Sequence, residues 1–469
     1  MRFTLLVPFL FGFMLNAKVV LPDVLSDNMV IQQNSTIKLW GTAKAKTAVK
    51  IKVSWSTVSY TCRSEKNGQW QLSIKTNAAS FQKHTITISD GKLITIQNVL
   101  IGEVWLCSGQ SNMEMSFNGF NNQPIADANY YISNAKKESG IRMLNVVKSA
   151  SLNSNSVGKG KWLESSPQNL PSFSATAYFF ALRLQEQLKV PIGIINSSYG
   201  GSCIEGWLSP GNLERYTDFD FRQKIPDSMS WQRPNVMYQN MLKPFRNYVI
   251  NGFVWYQGES NVERYATYAQ KLQELVYLWR YTFDKADLPF YVVEIAPFLY
   301  GDLVQAAKLR EAQFQGVNLM DNTAYVCTND LVVESEATNI HPSQKKPIGD
   351  RLANLVLHDS YHFDSIKANS PSLSRFSIFS DSIILNFDNS YDGFLSQQDI
   401  VGFEIADSTQ IFRKAKAFFG EANNTISIKF EKDFRPTAVR YCFKNFQIGN
   451  VKNSVGLPLI PFRTDDWSH

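Results

Sequence analysis

The stretch EVWLCSGQSNMEMS, residues 103–116, decides the interpretation of the fold because it joins a buried strand to a polar loop. Glu103 to Cys107 is apolar enough to be a strand inside a sheet. Ser108 to Asn112 contains only small or polar residues. In sheets of parallel strands, ligands bind where loops leave the carboxyl ends of the strands. We therefore predict that the GQSNM segment is part of a functional site.

The sequence after residue 99 alternates between apolar runs and amphipathic segments. The predicted strands are VWLC, PIGIINSS, NGFVWYQ, PFYVVEIAP and TAYVCTND. The predicted helices are FSATAYFFALRLQEQLKV, VERYATYAQKLQELVYLWRYTF and KPIGDRLANLVLHDSY. Near-continuous apolar strands that alternate with such helices indicate an α/β fold, a parallel sheet with helices on both faces.

Segments rich in short strands flank this α/β part. The 469 residues suggest about three domains at ~150 residues per domain. We predict an N-terminal β domain over residues 18–98, a catalytic domain over residues 99–364 and a C-terminal β domain over residues 365–469. The β domains are indicated by alternating or β-branched runs such as VKIKVSW and SIILNF.

The net charge of +6 is mild for this length and gives little reason to expect a nucleic-acid partner. The most basic stretch contains lysines at even positions only: Lys44, Lys46, Lys50 and Lys52. Such spacing places them on one face of a strand, which we interpret as a solvated or aggregation-guarding edge strand. No basic helix or aromatic-basic pattern accompanies them, so we predict no nucleic-acid binding.

The first 17 residues have the pattern of a cleavable signal peptide. Arg2 precedes an apolar run from Phe3 to Leu15, and Ala17 supplies a small residue at the natural cleavage point. That run is too short to span the ~30 Å hydrocarbon layer, so we expect no membrane insertion. The pattern predicts a protein that is secreted or periplasmic.

Cysteine and histidine usage excludes some classes of site. The five cysteines contain no CxxC pair and do not form a disulfide framework, and their odd number leaves at least one thiol free. The five histidines form no HxH or HExxH motif. We therefore predict neither a metal site nor a cofactor.

Serine chemistry fits the polar loops better. A serine hydroxyl becomes a good nucleophile when a histidine takes its proton, and the carbonyl oxygen that it attacks needs fixed hydrogen-bond donors. Ser111 is the candidate nucleophile and His341 the candidate base. The candidate oxyanion donors are the Ser111 N–H, an N–H of the Gly200–Gly201 loop and the Gln257 amide. Met113 stands where a GxSxG elbow needs glycine, so an α/β-hydrolase elbow is excluded.

The motifs GQSNM, INSSYGGSCIEGW, VWYQGESN, LREAQ and NIHPSQKKPIGDRLA occur in this order. With the preceding β region and the PFRTDDW ending, they resemble the sialate O-acetylesterase family of SGNH (GDSL-like) hydrolases, which have a flavodoxin-like core. The resemblance implies a nucleophile at Ser111, a base at His341 and oxyanion donors at Ser111, Gly201 and the QGE segment. It also implies metal-free removal of acetyl groups from sugars, typically sialic acids, with related branches acting on plant polysaccharides.

One departure from the family pattern concerns the third catalytic residue. SGNH enzymes usually have an aspartate three residues before the histidine, and here that residue is Thr338. Glu259 of the QGESN motif is the favoured replacement. A backbone carbonyl is an alternative, and so are the acids of the preceding loop, Asp330, Glu334 and Glu336.

The sugar-binding residues are less constrained by these motifs. Asn112, next to the candidate nucleophile, and Trp207 are candidate substrate contacts. Trp207 and Trp255 either line a sugar site or pack in the core. Three functions stay open: a sialic acid O-acetylesterase, an acetylesterase for another glycan such as acetylated xylan, and a non-catalytic carbohydrate-binding relative.

Overall fold

The structure is a computed structural model that describes residues 18–150, 157–220, 223–301, 304–395 and 399–468. The predicted signal peptide, residues 1–17, lies outside the described residues. No helix in the described ranges is long and apolar enough to cross a membrane.

An N-terminal β region leads into the α/β core through one long strand. Its strands are β1 (Val30–Gln32), β2 (Thr36–Thr42), β3 (Ala48–Val53), β4 (Ser59–Arg63), β5 (Gln69–Lys75), β6 (Ser80–Ser89) and β7 (Leu93–Gly109). The first part of β7 pairs with β6 and β1, and its second part lies in the central sheet. The predicted domain boundary at residues 98 and 99 therefore falls within β7, and the boundaries stay predictions.

The lysine-rich stretch is not an edge strand. β3 alternates between buried and exposed residues, with Lys50 and Lys52 on the exposed face. It pairs with β4 on one side and β6 on the other, so it lies inside its sheet and the expected edge position is wrong. The lysines are solvated because they alternate with the buried valines and isoleucine of the same strand.

The central sheet has the strand order β13-β12-β11-β7-β10-β8-β9. Its further strands are β8 (Ile141–Val146), β9 (Gly160–Glu164), β10 (Ile192–Ser198), β11 (Gly252–Tyr256), β12 (Phe290–Val293) and β13 (Thr323–Val326). All pairings along this order are parallel except β8 with the edge strand β9, which is antiparallel. The second part of β7 is buried throughout because strands flank it on both sides and helices cover both faces.

Within the residues that the structure describes, the helices all belong to this α/β part. They are α1 (Ser111–Glu114), α2 (Ala128–Asn134), α3 (Ala175–Leu188), α4 (Pro210–Leu213), α5 (Tyr268–Thr282), α6 (Gln305–Asn318) and α7 (Lys346–Tyr361). Short 3-10 or π segments are Lys137–Ser139, Leu170–Ser172, Ile204–Trp207, Asp227–Gln232, Tyr238–Leu242, Lys243–Phe245, Glu259–Thr267 and Glu334–Glu336. Apolar residues of α3 and α7 pack on one face of the sheet, and those of α5 and α6 pack on the other.

The C-terminal region forms antiparallel sheets around its own buried core. Its strands are β14 (Ser372–Ile378), β15 (Ser382–Asp388), β16 (Phe403–Ala406), β17 (Arg413–Lys414), β18 (Lys416–Phe419), β19 (Thr425–Lys429), β20 (Ala438–Tyr441) and β21 (Phe462–Arg463). The predicted fold class, a parallel α/β sheet with flanking all-β regions, is confirmed by this architecture.

Candidate active site

Ser111 is the first residue of α1 and follows the central strand β7 after one intervening residue. The turn between them requires glycine at position 109, where φ is +139° and an added Cβ would lie 2.0 Å from the Tyr256 carbonyl oxygen. β7 and β11 can therefore approach closely at their carboxyl ends. The turn places the partly exposed Ser111 at the edge of the sheet where the loops gather.

His341 lies in the segment between β13 and α7, and its ring reaches Ser111. The distance between His341 Nε2 and Ser111 Oγ is 2.8 Å, which is a hydrogen bond. The structure thus brings together the two residues that sequence reasoning selected as nucleophile and base. Burial and the positive charge of Lys345 lower the pKa of His341 to about 4, so the imidazole is neutral at neutral pH.

The other ring nitrogen contacts Gln123 and not an acid. His341 Nδ1 lies 2.7 Å from Gln123 Oε1. Glu259, the favoured third member, instead accepts a hydrogen bond from Asn112 Nδ2 at 2.5 Å. The expectation for Glu259 is therefore corrected, because Asn112 lies between its carboxylate and the histidine segment and also donates to the Ile340 carbonyl oxygen at 3.0 Å.

The alternative acids do not contact the imidazole either. Asp330 forms a bidentate ion pair with Arg351, at 2.8 Å for both oxygens, and a further ion pair with Lys452. Glu336 accepts hydrogen bonds from the Ser343 N–H and hydroxyl. Glu334 is exposed at the start of its 3-10 segment.

Two of the three expected oxyanion donors are available. Among the described residues, no group accepts a hydrogen bond from the backbone N–H of Ser111 or Gly201. The Gly200–Gly201 loop borders the nucleophile, since an added Cβ on Gly200 would lie 3.6 Å from the Ser111 Cβ. The Gly200 N–H itself donates to Glu114 Oε2 at 2.6 Å.

Gln257, the third expected donor, is not available for the oxyanion. Its side chain is fully buried, and Nε2 donates to Asn261 Oδ1 at 2.8 Å and to the Ser202 carbonyl oxygen at 3.1 Å. Its Oε1 accepts from the Tyr268 hydroxyl at 2.8 Å. Gln257 therefore connects the loop at Ser202 to the segment at Asn261, which corrects its expected role as an oxyanion donor.

Side-chain hydrogen bonds connect the loops that follow β7, β10 and β11. Gln110 Oε1 accepts from the Gly258 N–H at 3.1 Å and from the Ser260 N–H at 3.4 Å. The Ser260 hydroxyl donates to the Gly201 carbonyl oxygen at 2.9 Å. Because these strands are neighbours in the sheet, one network fixes the nucleophile loop relative to the Gly201 loop.

The two candidate substrate contacts are both buried, which corrects that expectation. Asn112 uses both atoms of its amide inside the protein, toward Glu259 and toward Lys345. Trp207 is fully buried, donates its indole N–H to Ser202 Oγ at 3.0 Å and packs edge-on against Trp255. Trp207 and Trp255 therefore pack in the core, which is one of the two alternatives expected for them.

Sequence reasoning missed some residues around the site. Trp231 is partly exposed and borders Gly201, where an added Cβ would lie 2.9 Å from the indole Cδ1. Gln123 lies in a turn outside every motif, so no sequence signal indicated it. Lys345 stands inside the NIHPSQKKPIGDRLA motif, but a lysine beside a helix start is usually solvated and gave no reason to select it.

A buried chain of polar groups lies behind the site. Lys345 Nζ donates to Asn112 Oδ1 at 2.5 Å, and Asn112 donates to Glu259. Burial lowers the pKa of Lys345 to about 7, and burial raises the pKa of Glu259. Both groups are thus shifted toward their neutral forms, as expected for charges removed from water.

In the described ranges, no group of three or more His, Cys, Asp or Glu side chains could hold a metal ion. The five cysteines, all of them described, are unpaired, and burial raises the pKa of the Cys203 thiol beside the Gly201 loop. The site has a serine hydroxyl hydrogen-bonded to a neutral imidazole, beside backbone N–H groups that have no acceptor in the described structure; groups of these kinds are the ones that acyl transfer uses.

Comparisons with known proteins point in the same direction. A protein-family model, described as carbohydrate esterase, sialic acid-specific acetylesterase, matches residues 101–358 of this chain. Human sialate O-acetylesterase is 31% identical over 286 residues, and the mouse protein of that name is 26% identical over 365 residues. The human alignment covers 55% of this chain and 53% of the human protein, and the mouse alignment covers 67% and 66%. The chain thus spans about half the length of the human relative.

A solved structure is similar over nearly the whole chain. The crystal structure of a novel carbohydrate acetylesterase from Xanthomonas citri superposes with a TM-score of 0.86 at 28% sequence identity. The superposition covers 96% of this chain and 100% of the other. The flanking β regions are therefore part of the shared architecture together with the α/β core.

Proposed function

The chain belongs to the family of carbohydrate esterases described as sialic acid-specific acetylesterases, and we propose that it hydrolyses O-acetyl esters of sugars. The observation that carries the proposal is the 2.8 Å hydrogen bond between Ser111 Oγ and His341 Nε2. Free N–H groups at Ser111 and Gly201 stand beside this pair in the described structure.

The first half of the proposed reaction forms an acyl-enzyme. His341 accepts the Ser111 proton while Oγ attacks the acetyl carbonyl carbon. The N–H groups of Ser111 and Gly201 then donate to the carbonyl oxygen as it becomes negative, and a single such donor is typically worth ~10²–10³ in kcat. The imidazolium returns the proton to the sugar oxygen, which leaves as an alcohol, and acetyl-Ser111 remains.

The second half returns the free enzyme. His341 removes a proton from water, and the resulting hydroxide attacks the acetyl-Ser111 carbonyl carbon. The same N–H groups stabilise the second oxyanion. Collapse of that intermediate breaks the bond to Ser111 Oγ, which regains its proton from the imidazolium, and acetate leaves. No metal or cofactor is needed for either half.

Two substrate classes compete within this proposal. The family description and the human and mouse relatives favour O-acetylated sialic acid. The neighbour that superposes over 96% of the chain is called a carbohydrate acetylesterase, a name that does not specify the sugar, so acetyl esters of another glycan, such as acetylated xylan, are the second class. The catalytic loops bind the acetyl group, which both classes share, so the ratio of kcat/KM values on the two substrates distinguishes them.

The replacement Ser111→Ala tests the reaction. The wild type should release acetate from an aryl acetate and from an acetylated sugar, and Ser111→Ala should reduce kcat by about 10⁴-fold or more because the nucleophile is lost. Ser116→Ala, a matched replacement in the same segment, should leave the rate near that of the wild type. A non-catalytic carbohydrate-binding protein would bind acetylated sugar and release no acetate, and turnover that survives Ser111→Ala would exclude Ser111 as nucleophile.

We also propose that the protein is exported to a secreted or periplasmic location. The support is the N-terminal pattern of Arg2, the apolar run from Phe3 to Leu15 and Ala17. Sequencing the mature N-terminus after expression in the native host tests this proposal. A first residue at Lys18 is expected, and an intact Met1 would contradict it.

A further inference from the structure

The imidazole of His341 bridges two side chains, one on each ring nitrogen. Nε2 lies 2.8 Å from Ser111 Oγ, and Nδ1 lies 2.7 Å from Gln123 Oε1. An amide oxygen can only accept, so the Nδ1–H donates to Gln123. That tautomer leaves the lone pair of Nε2 free to accept the Ser111 hydroxyl proton, which is the arrangement that a general base needs.

No carboxylate in the described ranges replaces Gln123 at this nitrogen. The usual aspartate position holds Thr338, whose side chain has no ionisable group. The nearby acids have other partners: Asp330 binds Arg351, Glu336 binds Ser343, and Glu259 binds Asn112. The amide of Gln123 therefore fills the place where a triad normally has its acid.

The turn that carries Gln123 is well fixed. The Phe120 N–H donates to the Gln123 carbonyl oxygen at 3.0 Å, and the Gln123 N–H donates to the Phe120 carbonyl oxygen at 2.9 Å. Gly119 precedes the turn with φ +68°, and an added Cβ there would lie 2.4 Å from the Gln123 carbonyl oxygen. These contacts fix the backbone from which the Gln123 side chain extends.

The same turn contacts the histidine segment at two further points. The Phe120 ring packs edge-on against the imidazole with a centroid distance of 4.8 Å. The Ala126 N–H donates to the Ser343 carbonyl oxygen at 3.1 Å. These contacts attach the turn to the segment that contains His341.

We propose that Gln123 is a positioning residue that orients His341 in place of the triad acid, so that the site works as a Ser–His–Gln arrangement. This inference rests on the proposed function. Gln123 contacts the imidazole at Nδ1, on the side of the ring away from Ser111 Oγ, and so acts through the imidazole. Because its amide is neutral, it holds the ring without the attraction that a carboxylate exerts on the imidazolium.

The charges around His341 fit a base that works under acidic conditions. Burial and the charge of Lys345, which lies on the same segment and is bound to Asn112, lower the pKa of His341 to about 4. On the other packed elements, Glu259 lies behind Asn112, Glu336 is bound to Ser343, and Glu114 is paired with Lys148. Because the Gln123 amide at Nδ1 is neutral, it does not raise the pKa of His341. The imidazole therefore stays unprotonated, and able to act as a base, well below neutral pH.

The experiment compares Gln123→Ala and Gln123→Glu with the wild type on an aryl acetate over the full pH range. Gln123→Ala should lower kcat/KM by about 10–100-fold, the equivalent of one hydrogen bond to a developing charge. Gln123→Glu keeps the acceptor and should retain more activity than Gln123→Ala at neutral pH. Its carboxylate should move the acid limb of kcat/KM upward by about one to two pH units. Asn121→Ala, an exposed replacement in the same turn, should change neither quantity.

The outcomes separate this inference from the proposed function. If the wild type is active and sensitive to Ser111→Ala, an unchanged kcat/KM in a folded Gln123→Ala overturns the role of Gln123 alone. If Gln123→Ala does not fold, the acid limb of Gln123→Glu decides: an upward shift supports the contact with the imidazole, and an unmoved limb contradicts it. A wild type that releases no acetate contradicts the proposed function itself.

Discussion

Glu205 and Glu259 are buried glutamates in the segments after β10 and β11, the strands on either side of β7. They differ in their hydrogen-bond and ion-pair partners. Glu205, after β10, is bound by Lys271 at 2.9 Å, by Arg264 at 3.2 Å and by the Asn261 amide. Glu259, after β11, accepts one side-chain hydrogen bond, from Asn112 at 2.5 Å. Its Oε2 receives none from another side chain in the described part of the chain.

These partners move the two pKa values in opposite directions. Burial raises the pKa of Glu205, but the charges of Arg264 and Lys271 outweigh it and lower the value to about 2. Burial also raises the pKa of Glu259, and the Asn112 hydrogen bond and Lys345 charge oppose it only in part. The number of basic partners within contact distance therefore decides whether a buried carboxylate stays charged.

The difference separates two tasks within one site. Glu205 stays ionised and anchors Asn261, which in turn holds Gln257 and the Ile204 N–H below the Gly201 loop. Glu259 is shifted toward its neutral form and connects, through Asn112, to the lysine beside His341. The Glu205 carboxylate thus stabilises the loops of the site, whereas the Glu259 carboxyl group is part of the polar network near His341.

The replacement Glu205→Gln should have the largest effect on stability. It leaves the fully buried Lys271 and the partly buried Arg264 without their shared counter-charge. We expect the free energy of unfolding to fall by about 3 kcal/mol, at the lower end of the range for a broken buried pair because Asp218 still binds Lys271. Urea unfolding at neutral pH measures this loss.

A matched control for Glu205→Gln is available on the surface of α3. Glu186 pairs with Arg183 at 3.9 Å and is half exposed. Glu186→Gln should change the free energy of unfolding by less than about 0.5 kcal/mol because solvent screens exposed pairs. Equal losses in the two variants would show that burial does not distinguish these glutamates.

Glu259→Gln should have a moderate effect, and on a different quantity. If Glu259 oriented His341, its replacement by the amide would cost about 10⁴-fold in kcat, as it does for a triad acid. Because the imidazole contacts Gln123 instead, we expect kcat/KM on an aryl acetate to stay within about tenfold of the wild type. Glu263→Gln, an exposed neighbour, is the control. A loss as large as that of a triad acid would restore Glu259 to that role.

Much of the fold was predictable because the parallel core has strong patterns. The strands around VWLC, GIINSS and GFVWY are buried on both faces and read as apolar runs, and α7 has the predicted bounds. The segment VERYATYAQ, predicted as helix, begins as a 3-10 turn with a kink at Arg264, whose side chain binds Glu205. α6 was not predicted, since many of its polar residues are buried and hide the amphipathic pattern.

The site was predictable where chemistry restricts the residue type. Ser111 and His341, which the sequence selects as nucleophile and base because few residue types can act so, lie in contact in the structure. The partner of the imidazole was not predictable, because a glutamine in a turn carries no charge or motif that marks it. Gln257 and Asn112 lie in predicted site motifs, but the structure uses their amides to connect loops instead of leaving them free for substrate. Residue type alone does not distinguish these two uses of an amide.

The pH dependence of stability tests the same comparison, because the two glutamates should contribute with opposite signs. The pKa of Glu205 is lowered from 4.5 to about 2, so its stabilising contribution is fully present above pH 4.5 and is lost as the pH falls toward 2. The pKa of Glu259 is raised from 4.5, so its contribution is present below pH 4.5 and is lost as the pH rises through the raised value.

Urea unfolding of the wild type, Glu205→Gln and Glu259→Gln at several values between about pH 3 and about pH 7 measures both signs. The deficit of Glu205→Gln relative to the wild type should shrink on acidification. The stability of Glu259→Gln relative to the wild type should improve as the pH rises, because the wild type alone must then ionise a buried carboxyl that has one side-chain donor. Parallel curves for the two variants would mean that Lys345 compensates the charge of Glu259 as fully as Lys271 and Arg264 compensate that of Glu205, and the two carboxylates would then have the same task.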